Sequence, residues 1–331
     1  MNQVDAIRPP GANASSDLFG LIRAELLQVE ERLQSELRTS HELVDQVVRH
    51  GYRLGGKRLR PALVLLAGKA CGGLGPEHQT LAVVVEMIHT ATLVHDDVLD
   101  EAELRRHVDT VNARWGNETS VLLGDFLFSH AFYLASTLDT VDACRLIGRS
   151  TNIVCEGEMR QTLSEGDLAV TEADYLAIVD AKTAELCACC CQLGARYAGA
   201  SDSIVEALTS YGRNLGIAFQ IADDLLDLAG EESTTGKSIG RDLAKRKLTL
   251  PVIHARESLV DGPHRAFLAD VAAGRIAPVL DQLHRLGSLE YAHNRAEEYA
   301  RRAVEALSEL PDSPARQVLL EIAQFVVDRR A

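Results

Sequence analysis

Residues 81–101 read LAVVVEMIHTATLVHDDVLDE, an apolar run that closes in a burst of carboxylates. No Gly or Pro interrupts it, and its apolar residues fall on nearly every side of a 3.6-residue period, which predicts a helix packed inside other helices rather than on a surface. The run from Leu81 to Val94 is broken by Glu86 and His89 and falls short of the ~20 residues that span a bilayer, so no transmembrane segment is expected. At its end Asp96 and Asp100 stand at i and i+4 and share a helix face. Two carboxylates there repel each other and also meet the negative end of the helix dipole, an arrangement that costs stability unless a cation joins them.

The same pattern returns at residues 220–227, QIADDLLD, where Asp223 and Asp227 close a second apolar stretch. One such cluster alone could equally be a solvated helix end. Two copies, each following an apolar helix and each with basic segments nearby, favour cation sites. Hard oxygen donors without neighbouring His and Cys sets suit Mg²⁺, which keeps several waters and bridges carboxylates to phosphates.

The remainder of the 331 residues extends this all-α reading. Helical periodicity marks Leu18–Leu37, Pro61–Ala70, Glu77–Glu101, Ser120–Leu138, Asp142–Leu163, Glu172–Ala198 and Ser203–Leu228, with four shorter patterns after Lys247. No strand alternation persists, and aromatic content is only 5%, so helices rather than sheets must supply the core. Residues 1–15 carry Pro9, Pro10 and Gly11 without periodicity and are expected to be a flexible tail, with 16–331 forming one domain. A net charge of −14 excludes a general nucleic-acid role, which needs many Lys and Arg against phosphates. Four of the seven cysteines crowd into Cys187–Cys191, which is no disulfide framework; buried packing in a reducing cytoplasm is expected.

Five segments occur in an order that resembles the trans-isoprenyl diphosphate synthases: GGKRLRP at 55–61, the helix IHTATLVHDDVLDEAELRR, Lys182-Thr183, FQIADDLLDL, and GKSIGRDLAKRKLTLP ending at Pro251. The resemblance implies an all-α isoprenoid-synthase fold, a large helical bundle around a deep cavity with the two aspartate motifs facing across it, and usually a homodimer. It implies that Asp96, Asp100 and Asp223 bind Mg²⁺ most directly, more than one ion per site, while Asp97, Asp224 and Asp227 complete or orient the motifs. An allylic prenyl diphosphate would meet Arg105, Lys182, Thr183, Gln220, Lys237 and Lys247. Isopentenyl diphosphate would meet Gly56, Lys57, Arg60, His89 and Arg106. Read without the resemblance, His89 on an apolar helix would be an ordinary hydrogen-bonded core histidine.

Product length in that family depends on side-chain size just before the first aspartate motif. Ala91 and Thr92 are small, and one helical turn rises about 5.4 Å, roughly one isoprene unit, so a medium- or long-chain product beyond C20 is expected. Met87 and Ile88, one turn deeper, or Phe128 and Phe132 would form the next floor, unless they are plain core. A farnesyl or geranylgeranyl diphosphate synthase, or a non-catalytic subunit of a heteromeric synthase, stays open as the alternative. Three positions depart from the family pattern: His107 follows Arg105-Arg106 where glycine is usual, Asp109 takes the place of a later proline, and Arg246 stands where glycine usually precedes Lys247.

Overall fold

The computed structural model describes residues 18–53, 56, 58–229 and 240–328. The expected tail at 1–15, Lys57 and Lys237 lie outside them. In the first part of the chain the helices are α1 (Arg23–Glu36), α2 (Glu42–Arg53), α3 (Leu59–Ala70), α4 (Pro76–Leu99), α5 (Val111–Trp115), α6 (Asn117–Ser136) and α7 (Asp142–Leu163). They continue with α8 (Glu172–Val179), α9 (Glu185–Tyr197), α10 (Asp202–Ala229) and α11 (Arg241–Ala244). Five more close the chain: Leu250–Ser258, Asp261–Ala272, Ile276–Arg285, Ser288–Ala306 and Pro314–Asp328, one more than the periodicity after Lys247 suggests. The all-α expectation holds, and no helix among the described residues is long and apolar enough to cross a membrane.

Three further features differ from the sequence reading. Helix α2 was not expected: its buried residues are Asp45, Val48, His50, Gly51 and Tyr52, too polar a set to announce an apolar stripe. A short antiparallel hairpin pairs β1 (Leu104–Arg105) with β2 (Val108–Asp109). The single helix expected over 172–198 is divided by a π-helical turn at Asp180–Ala184, a widening that is frequent at functional sites.

The chain divides into two compact units, the first comprising residues up to Arg149 with Cys189–Thr209 and Glu309–Leu319, the second Ser150–Ala188, Ser210–Ser308 and Leu320 onward. In the first unit α4 is buried along most of its length, with Leu81 to Val85 wholly inside, and it is joined by Leu63 to Leu66 of α3 and Leu127 and Ala131 of α6. Pro76 opens α4 at its first residue, where the missing N–H costs nothing. In the second unit Leu228, Leu243, Val252, Phe267, Val271, Val279 and Leu283 form one apolar cluster beneath the end of α10. The four crowded cysteines are all buried in α9.

Candidate active site

In the first unit, α4 carries its carboxylates to the surface at its C-terminus. Asp100 caps the helix, its N–H donating to the Asp96 carbonyl at 2.7 Å, and both side chains are partly exposed. Asp97 is different. It is buried, and it accepts from Arg105, whose Nε lies 2.9 and 3.1 Å from its two oxygens and whose Nη2 lies 2.8 Å from Oδ1. This bidentate pairing binds the helix end to β1.

Arg105 pairs across the hairpin with Val108, leaving Arg106 and His107 as a two-residue turn, with φ of 52° and 64°. Both central residues of such a turn sit at positive φ because that twist matches the flanking strands. The departure from the family pattern at His107 therefore falls on a left-handed position that glycine occupies without strain. His107→Gly is expected to stabilise the protein by about 1 kcal/mol, seen as a higher urea midpoint, with steady-state kinetics within about twofold of wild type. A lowered midpoint would contradict this account of the turn.

Behind the hairpin the basic residues gather. A Cβ on Gly56 would lie 2.8 Å from Arg106 Nη2, so the glycine lets the loop backbone rest against that guanidinium. The buried Nε of Arg60 has no hydrogen-bond partner. Burial, and then the positive charges of Arg60, Arg105, Arg106 and Arg58, hold His89 well below its ordinary pKa, so it is neutral at pH 7. Of the residues expected to meet isopentenyl diphosphate, the described ones (Gly56, Arg60, His89 and Arg106) thus share one electropositive neighbourhood.

In the second unit the π turn presents Lys182 and Thr183. Gly157 and Gly216 admit it closely: a Cβ on the first would stand 2.8 Å from Lys182 N, and on the second 2.5 Å from Ala184 Cα. Lys182 Nζ reaches Glu158 at 2.6 Å and Gln161 at 2.8 Å. Thr183 Oγ1 donates to Gln220 Oε1 at 2.8 Å, and Gln220 Nε2 donates in turn to Asp224 Oδ1 at 2.8 Å. Tyr175 OH donates to the other Asp224 oxygen at 2.6 Å. Burial, reinforced by the charge of Asp242, pushes Asp224 up to about 8, although the bonds from Tyr175 and Gln220 pull it back. Asp223 faces out beside it, and Asp227 accepts from the Asp242 N–H at 3.1 Å.

Helix α11 ends with Lys247 N donating to Asp242 O and Arg246 N to Leu243 O, both at 2.9 Å, and with Arg246 at φ 58°. That is the Schellman pattern, whose left-handed residue is usually glycine. Both arginine- and histidine-for-glycine departures therefore occupy left-handed positions, and the backbone turns expected of glycine are kept. Lys247 Nζ lies 3.9 Å from Glu165.

The model for polyprenyl synthetases matches residues 41–272. The chain is 38% identical over 315 residues to the octaprenyl diphosphate synthase of Escherichia coli K12, covering 93% of this chain and 97% of that one. The chain belongs to the polyprenyl synthetase family. Its fold matches a Caulobacter crescentus polyprenyl synthase complexed with calcium and isoprenyl diphosphate, with a TM-score of 0.88, 37% identity, and 98% and 100% of the two chains covered. It matches a geranylgeranyl pyrophosphate synthetase from Pyrococcus horikoshii with a TM-score of 0.88 at 34% identity, over 95% and 99% of the chains. The all-α isoprenoid-synthase fold expected from the motifs is the fold of this polyprenyl synthetase.

The sequence reading missed the residues that hold this family member's basic groups in place. Glu158, Gln161 and Glu165 lie at and just beyond the end of α7, where spacing alone makes them ordinary surface residues. Tyr175, which donates to Asp224, and Asp242, whose N–H donates to Asp227, carry no motif of their own.

Proposed function

We propose that this protein condenses isopentenyl diphosphate with an allylic prenyl diphosphate, giving a trans-polyprenyl diphosphate of more than four isoprene units and releasing diphosphate. The observation that carries the reading is the cluster that Arg60 of α3 and Arg106 of the hairpin turn form around neutral His89, which stands on the helix that delivers Asp96 and Asp100. An unpartnered guanidinium nitrogen buried among cations is a site for an anion.

The residues fit Mg²⁺. Asp96 with Asp100, and Asp223 with Asp227, are oxygen-only pairs, the hard donors that suit Mg²⁺. When bound, the metal supplies charge stabilisation to the departing diphosphate. Asp96, Asp100 and Asp223 would hold it, with Asp97, Asp224 and Asp227 orienting through the bonds described above. Lys182, Thr183, Gln220, Arg105 and Lys247, together with Lys237, would bind the allylic diphosphate.

The allylic C–O bond breaks with both electrons passing to diphosphate, and the electropositive side chains stabilise the growing anion. The double bond of isopentenyl diphosphate then attacks the allylic carbon, and the proton lost from its second carbon passes to the released diphosphate. Gly56, Lys57, Arg60, His89 and Arg106 would hold the second diphosphate, which must stay attached to its carbon. Incubation with labelled isopentenyl diphosphate, Mg²⁺ and C5 to C20 allylic primers tests the reading: products longer than C20, lost with EDTA, are expected. No elongation of any primer would overturn it and leave the subunit alternative. We also infer a homodimer in the cytoplasm; the exposed apolar side chains Val121, Leu122 and Tyr133 along α6 support the first, and the crowding of Cys187, Cys189, Cys190 and Cys191 into one helix, unlike the spacing of a disulfide framework, supports the second.

Chain length separates Ala91 from Thr92. Ala91, Met87 and Ile88 are fully buried, as core residues are, whereas Thr92 keeps some exposure and Phe128 and Phe132 are only partly buried. Thr92→Phe is therefore expected to shorten the product, to C20 or below, without loss of stability. Ala91→Phe instead overpacks the core and costs about 1–3 kcal/mol. Product sizing beside urea unfolding of both variants checks this; an unchanged product from Thr92→Phe would remove Thr92 from length control.

A further inference from the structure

Arg58 lies within the GGKRLRP loop, between Lys57 and the Arg60 that the proposed isopentenyl site uses, yet its guanidinium points into protein. It is buried, and its Nε and Nη2 donate to Glu30 of α1 at 3.0 and 3.2 Å while Nη1 donates to the buried Glu86 of α4 at 2.5 Å. The ring of Tyr52 lies 5.0 Å from its Cζ, and the Tyr52 hydroxyl donates to Glu30. Arg58 is also the N-cap of α3, with φ 54°. A bulky residue holds that left-handed conformation only where its surroundings over-determine it, and such strain gathers at functional sites. Glu86 stands one turn before His89 on α4, so the same guanidinium ties the loop to the helix that carries the histidine.

We propose that Arg58, clamped by Glu30 and Glu86, is a positioning residue for the isopentenyl diphosphate site. It fixes the start of α3, and with it Gly56 and Arg60, against His89. Its side chain touches no substrate. The inference rests on the proposed function, and it assigns the half-buried Glu30 and the buried Glu86 a role in affinity for one of the two substrates.

A lysine is a point charge and cannot bridge two carboxylates as the planar fork does. Arg58→Lys is expected to raise KM for isopentenyl diphosphate about tenfold or more while changing KM for the allylic diphosphate less than about twofold. Arg58→Ala should show a larger rise, partly reversed by millimolar guanidinium, and Glu86→Gln should follow Arg58→Lys. Direct titration of each variant with isopentenyl diphosphate gives the affinity apart from turnover. Equal rises in both KM values, or no rise in either, would overturn the assignment and leave Arg58 as a structural ion pair. Arg60→Ala serves as the control: it should lose isopentenyl affinity whatever Arg58 does, and if it does not, the reading of the site itself falls.

Discussion

Asp223→Ala should lower kcat by about three decades and leave stability almost unchanged. A cation held about 4 Å from a developing negative charge at an effective dielectric near 20 interacts with it by roughly 4 kcal/mol, which is about three decades of rate if expressed only in the transition state. Asp223 faces outward on α10, and exposed substitutions of that kind usually shift stability by no more than about 0.5 kcal/mol. Asp224→Ala should behave differently, because it strips a buried partner from both Tyr175 and Gln220 and so costs stability as well as rate. Single-turnover kinetics and urea unfolding of the two variants separate these effects. If Asp223→Ala stays within about tenfold of wild type, Asp223 is not a principal metal ligand.

The sequence made the long helices and the positions of the two aspartate motifs legible because both are local. A long, mostly apolar run such as 81–94, without Gly or Pro, has one helical solution, and Asp96 with Asp100 follows from its register. What lay beyond reach was set by partners distant in the chain. Whether Asp97 points to metal or to protein depends on a hairpin eight residues on, and the hairpin depends on two non-glycine residues accepting positive φ. Helix α2 hides because its buried face includes Asp45 and His50, whose partners are residues at 38–49 and 109 rather than an apolar layer. Arg58 is indistinguishable from Lys57 or Arg60 by composition; only Glu30 and Glu86, each 28 residues away, show that it turns inward.

The Asp97–Arg105 pair should prove asymmetric. Arg105 retains 21% side-chain exposure whereas Asp97 retains 3%, so removing the carboxylate lets the guanidinium turn to water, while removing the guanidinium takes the bidentate donor from a buried charge. Arg105→Ala is therefore expected to cost about 3–5 kcal/mol of stability, as one-sided removal from a buried pair does, and Asp97→Ala distinctly less. The double variant should recover part of the Arg105→Ala loss, since no carboxylate then remains to be charged in the interior. Urea unfolding in EDTA, which removes any contribution of bound metal, measures all three. The turnover of the variants adds the functional half: Arg105→Ala also loses a proposed diphosphate ligand, so the double variant should regain stability without regaining rate. Recovery of both would mean that Arg105 serves only to seat Asp97, and equal stability of the two single variants would mean that the pair is exposed enough for water to replace either partner.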